Sequence, residues 1–165
     1  MRKIAFPLIG LFAVGVATRA LAVERGIGGH IGFATPLVTV TEDDTTDIGD
    51  QFTLVSPIGI SLKVSERVAI DFETQVVNPV DPSGTTSLVI APGIIVNTSL
   101  AALGLRLASA IDAPANVGII PLINRGLVPL GGGATWFVEA AFPTFVNSEP
   151  PDVAFNVVIH TGVGF

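Results

Sequence analysis

The chain contains no cysteine and no tyrosine, a single tryptophan, and charged residues at only 13% of its 165 positions. Without cysteine there is no disulfide framework, no thiolate metal site and no cysteine nucleophile, and any export compartment stays open because nothing needs oxidising. Charge is scarce by the standard of soluble domains, which carry about 25% charged residues. Here the scarcity goes with 49% hydrophobic residues and a mean hydropathy of +0.69. That apolar content excludes disorder. Lys+Arg 8 against Asp+Glu 14 gives a net charge of −6 at pH 7, which excludes nucleic acid as a partner and offers anionic lipid no electrostatic attraction. Beyond Val23 the chain also lacks any uninterrupted apolar run of about 18 residues, so an ordinary spanning helix is excluded there. The apolar residues must be organised in another way.

The length allows one domain, preceded by a leader. Arg2 and Lys3 give a positive start, Ile4 to Ala17 are apolar, and Ala20-Leu21-Ala22 fits a small-x-small cleavage site, so residues 1–22 read as a secretory signal peptide and 23–165 as the exported domain. The competing reading is a retained anchor. Its apolar run is roughly 14 residues against the ~20 needed to span a bilayer, and Arg19 closes it. Loss of the leader removes Arg2, Lys3 and Arg19 and leaves the exported domain more acidic still.

Period-two alternation then recurs along the chain, the pattern of strands with two unlike faces. In the last segment Val153, Phe155, Val157, Ile159, Thr161, Val163 and Phe165 face one side, and Ala154, Asn156, Val158, His160, Gly162 and Gly164 the other. Residues 52–65 alternate Phe52, Leu54, Ile58, Ile60 and Leu62 with Thr53, Gly59, Ser61 and Lys63. Segments 68–77 and 102–112 alternate in the same way, and those near 29–40, 86–98 and 134–146 do so less cleanly. Near 117–130, Pro121, Pro129 and the doublet Ile119-Ile120 break the period and suggest a bulge or an irregular strand. Frequent Gly and Pro and the β-branched content disfavour helix, so the fold is read as all-β with eight strands. Connections alternate too. Thr41–Gln51, Asn78–Thr85, Asp112–Asn116 and Asn147–Asp152 are longer and polar, whereas Ser65–Arg67, Asn97–Ser99 and Gly131–Gly133 are short. In an up-and-down meander the two sets lie at opposite ends.

With these features the mature chain resembles the small eight-stranded outer-membrane β-barrels of Gram-negative bacteria. The resemblance implies an antiparallel up-and-down transmembrane barrel in the outer membrane, exported by the general secretory route and monomeric. It would have a structural or surface-interaction role and no enzymatic one, and it would need no cofactor. It also implies that Phe155, Val157, Ile159, Val163 and the terminal Phe165 form the signal read by the barrel assembly machinery, and that membrane lipids and lipopolysaccharide are partners. Interfacial aromatic girdles would here be built from Phe52, Phe72, Phe137, Phe142, Phe145, Phe155 and Phe165 with Trp136. The alternatives are a narrow channel or binder for small hydrophobic molecules, and a secreted soluble lipocalin-like lipid-binding barrel whose apolar face is a core.

On this register the polar residues that face inward are His30, Lys63, Asp71, Glu73, Gln75, Arg106, Glu139, Asn156 and His160. Charges in a barrel interior must pair with each other or with trapped water. Lys63 and Arg106 are therefore expected to neutralise Asp71, Glu73 and Glu139 in a plugged lumen; the other reading is a water-filled path or gate. His160 and Glu139 fall on adjacent strands, but no Ser shares a register with them to complete a hydrolytic set. The densest charge cluster is Glu42, Asp43, Asp44, Asp47 and Asp50. It reads as a solvated outer loop, with divalent-cation binding as the second possibility although its spacing fits no EF-hand.

Overall fold

The structure, a computed structural model, describes residues 26–111 and 114–165. The expected signal peptide at 1–22 and loop residue Asp112 lie outside the described residues. The strands are β1 (Ile27–Thr41), β2 (Thr45–Asp47), β3 (Phe52–Lys63), β4 (Val68–Asp81), β5 (Ser87–Asn97), β6 (Ala102–Ile111), β7 (Asn116–Gly131), β8 (Ala134–Ala141), β9 (Thr144–Asn147) and β10 (Val153–Gly164). Among the described residues there is no helix.

These ten strands make eight staves. Two staves are each built from two strands. β8 and β9 both pair with β7 and with β10, and the ladder lapses between them at Phe142-Pro143, because Pro143 has no N–H to donate. The chain stays in line there: Phe142 N donates to Pro121 O at 2.9 Å and Asn156 N donates to Pro143 O at 2.8 Å. Similarly, β2 pairs with Val38–Val40 of β1 and β3 with its Ile27–Ala34 portion, the turn at 48–51 bulging between them. Successive staves are antiparallel neighbours, and β1 pairs with β10 from His30↔Gly164 to Thr41↔Ala154, which closes the sheet. The expectation of a closed, antiparallel, up-and-down barrel of eight strands therefore holds. The described ends, Gly26 and Phe165, lie with the short turns at one end, and the longer connections lie at the other.

Two details differ from the sequence reading. The first connection is not all loop, since Thr45–Asp47 pairs as β2. Nor does β7 bulge at Pro121, which stays in step opposite Leu105 of β6; its register shifts fall at 126/128 and 129/131, next to Pro129. Pro121 turns its missing donor toward Phe142, so the β6 side is undisturbed.

Alternation decides what each face carries. The outward face is apolar on every stave: Phe33, Ile58, Phe72, Ile94, Leu107, Ile119, Val146 and Phe155 are all exposed, Phe33 at 63% and Leu107 at 61%. Two of the aromatics assigned to an outer girdle point inward instead. Phe137 is buried, one residue out of phase with the outward Trp136, and Phe145 packs against the core. Inside, the half nearer the long connections is filled by Val89, Ala91, Ala108, Ile120, Leu122 and Ala141. Eight staves enclose only enough width for side chains to fill, and these small apolar residues fill it. The half nearer Gly26 and Phe165 holds the charged residues.

Candidate charged site in the barrel lumen

Cross-strand rows assemble the site, and glycine makes room in two of them. His30 of β1 faces Gly59 of β3, which faces Glu73 of β4. A Cβ on Gly59 would fall within the His30 ring. Its absence lets the imidazole cross the row and bring Nε2 to 2.6 Å from Glu73 Oε2. Likewise Asp71 of β4 faces Gly93 of β5, which faces Arg106 of β6. A Cβ on Gly93 would crowd Arg106 Cγ, and without it the Arg106 Nε donates to Asp71 Oδ2 at 2.8 Å. In the third row Asn124 of β7, Glu139 of β8 and His160 of β10 lie side by side.

Arg106 ties the rows together. Its guanidinium fork places Nη2 3.1 Å from Glu73 Oε2 and Nη1 3.3 Å from Glu139 Oε1, the planar geometry that suits arginine to several carboxylates at once. The other carboxylate oxygens are also satisfied. Ser61 Oγ donates to Asp71 Oδ1 at 2.6 Å, Gln75 Nε2 to Glu73 Oε1 at 2.6 Å, and Asn124 Nδ2 to Glu139 Oε2 at 3.1 Å. His160 Nδ1 lies 3.3 Å from Glu139 Oε1. The Phe137 ring stands edge-on to both imidazoles, with centroids 6.0 Å from His30 and 4.9 Å from His160. Asp71, Glu73, Arg106, Glu139 and His160 are all at most 3% exposed. A cavity of about 300 Å³ leads from this cluster to the barrel end where Gly28, Asn97 and Gly126 lie.

Seven of the inward residues anticipated from the sequence thus meet in one network: His30, Asp71, Glu73, Gln75, Arg106, Glu139 and His160. Lys63 does not join them. As the last residue of β3 it is exposed at the barrel rim, where its ammonium reaches water along a flexible stem. The guanidinium of Arg106, without Lys63, is therefore what contacts all three acids. Asn156 is also apart, toward the long connections, where its Oδ1 accepts from Thr39 Oγ1 at 2.7 Å. Sequence reasoning missed Ser61, Asn124 and Phe137 as partners. Asn124 was hidden by the broken period of its segment, although its two-residue spacing from Leu122 and Ile120 carried the inward phase.

The acidic connection is folded on itself. Asp44 Oδ1 accepts from the Thr45 N–H at 2.7 Å, and Asp47 Oδ1 accepts from those of Gly49 at 2.7 Å and Asp50 at 3.3 Å. These carboxylates cap turn backbone, whereas Glu42 and Asp43 are simply exposed. Among the described residues, the metal-ligating atoms that converge are those of Glu73, Glu139 and His160 and not those of this loop. On β10, Phe155, Val157, Ile159 and Val163 share the outward row with Thr161, and Phe165, just past its end, continues the ladder by pairing with Gly29. The Thr161 hydroxyl accepts from Trp136 Nε1 at 2.8 Å and donates to the Phe137 carbonyl at 2.9 Å, so it presents no unpaired polar group on that face.

Comparison with protein-family models, with curated proteins and with solved structures finds no match to this chain. The class defined by fold and site is a closed eight-stranded antiparallel β-barrel with an apolar exterior and a buried charged network.

Proposed function

We propose that the chain is an outer-membrane β-barrel of the Gram-negative type, monomeric and non-enzymatic, with a structural or surface-interaction role. The observation that carries the reading is the outward face, apolar on all eight staves. Leaving a Leu, Ile or Phe in water forgoes about 1.5–3 kcal/mol each, and soluble monomers rarely expose a contiguous apolar patch beyond a few hundred Å². In hydrocarbon the same face is well solvated. The closed ladder also suits that phase, because lipid offers no partner to an unpaired sheet edge. The row from Phe155 to Phe165 supports recognition by the barrel assembly machinery, and the acidic connection, at the end away from Phe165, is suited to meet lipopolysaccharide and its divalent ions.

The apolar filling around Ala91 and Ile120 favours a structural barrel over a conduit, since an open path would require that half of the lumen to empty. A soluble lipocalin-like barrel would need its apolar residues inside, and here most of the larger ones point out, with Phe137, Phe145, Ile120 and Leu122 the inward exceptions. Extraction and gel migration test the proposal. The protein is expected to need detergent for extraction and, refolded in detergent, to run at different positions before and after boiling. Recovery from the aqueous fraction without detergent would favour the soluble barrel.

A further inference from the structure

We propose that Glu73, Glu139 and His160 form a buried binding site for one metal dication of the zinc class. Each of the three residues offers a ligand atom, and these atoms lie within 4.8 Å of one another. They come from β4, β8 and β10, so the site exists only in the closed barrel. Tetrahedral ligands about 2.0–2.2 Å from an ion stand about 3.4 Å apart. The three side chains therefore close on an ion by movements on the order of 1 Å, within the reach of their own torsions.

Charge points the same way. Three buried carboxylates face one guanidinium, which leaves the cluster two positive charges short when both imidazoles are neutral. An uncompensated buried charge costs several kcal/mol, and a dication supplies what is missing. An independent observation concerns His160. The residue is 3% exposed, and its Nε2 has no hydrogen-bond partner among the described residues. That nitrogen packs over Gly32, where a Cβ would stand 2.8 Å from it. His30 follows the same face of β1 two residues away, with its ring centroid 5.8 Å from that of His160, and its Nε2 stays on Glu73 Oε2 at 2.6 Å as a neighbour of the site.

The surroundings meet the other requirements of a metal site. Gln75 and Asn124 hold the two glutamates from outside through the oxygens that Arg106 leaves free, as hydrogen bonds behind metal ligands do. Arg106 contacts one oxygen of each glutamate, and a carboxylate has further lone pairs to offer. The 300 Å³ cavity touches Glu139 and His30 and gives an ion its way in. Imidazole with carboxylate suits zinc and its first-row neighbours. Calcium and magnesium prefer six or more oxygens.

The test uses the full chain refolded in detergent, stripped with chelator, with zinc chloride alone as the probe. Calorimetry and metal content after desalting should give one zinc per chain. His160→Gln and Glu139→Gln should each weaken binding at least tenfold, and Asp43→Asn/Asp44→Asn in the acidic connection should leave it unchanged. Absence of zinc uptake would overturn the proposal and assign the charge balance to two imidazolium ions. Uptake indifferent to His160→Gln, or lost with the loop variant, would overturn it as well. Should the lumen variants fail to fold, the wild-type chain decides: one equivalent of zinc must shift the His160 ring nitrogen resonances, and unmoved resonances would reject the site.

Discussion

Replacing Arg106 by methionine keeps an unbranched side chain of similar reach and removes the positive charge on which three acids converge. In the native barrel that guanidinium meets Asp71 at 2.8 Å, Glu73 at 3.1 Å and Glu139 at 3.3 Å, with all four side chains at most 4% exposed. Breaking a buried pair by deleting one partner costs about 3–5 kcal/mol, because the remaining charge is left in a medium that cannot solvate it. Ser61, Gln75 and Asn124 still donate to the carboxylates, but neutral donors do not remove like-charge repulsion. Arg106→Met should therefore lower the folding equilibrium constant by roughly two to three and a half decades, at about 1.4 kcal/mol per decade. Urea titration of reversibly refolded protein, read by the fluorescence of the single Trp136, measures this directly. Adding Asp71→Asn and Glu73→Gln should recover much of the loss, since it removes the unpaired charges. A loss below about 1.5 kcal/mol for Arg106→Met alone is what a volume-conserving swap in an apolar core costs, and it would refute the view that Arg106 compensates the three acids.

The other consequences are more local. Gly59→Val would push the His30 ring off Glu73 and should cost about 1–3 kcal/mol as overpacking, read in the same urea titration. Thr161→Val removes the acceptor of Trp136 Nε1 and should cost about 0.5–1.5 kcal/mol, with a shift in Trp136 emission; unchanged emission would contradict that hydrogen bond. Gly132 has φ of 61° in the turn between β7 and β8. Gly132→Val should therefore cost about 1–2 kcal/mol without disturbing the lumen, as judged by unchanged histidine resonances.

Period-two alternation placed the staves to within a few residues, because a lipid-facing or core-facing row must repeat at every second position. It also set the inward phase of Asp71, Glu73, Arg106, Glu139 and His160, the charged members of the network other than His30. What alternation does not contain is how far along the axis each inward residue sits. Lys63 shares the phase of Ser61, yet one more step toward the rim puts its ammonium in water, and Asn156 shares the phase of His160 in the other half of the barrel. The two-strand staves depended on backbone donors: Pro143 interrupts one by lacking an N–H, and the capped turn at 48–51 interrupts the other. Phe137 is an aromatic the resemblance would put in an outer girdle, but its offset of one from the outward Trp136 places it in the lumen.

Whether lipid wets the outward face is tested most directly by Leu105→Arg. Leu105 lies on β6 between Ile94 of β5 and Pro121 of β7, half-exposed and pointing away from the lumen. In a barrel that spans a bilayer, an arginine facing lipid near the midplane costs about 2–4 kcal/mol, so the variant refolded into lipid vesicles should lose stability by that amount. The same change at Ile27, at the barrel end, should cost only about 0–1 kcal/mol, as expected near the interface. If Leu105→Arg instead stays within about 0.5 kcal/mol of the wild type, as for an ordinary water-exposed surface position, the membrane-facing assignment of this surface is contradicted.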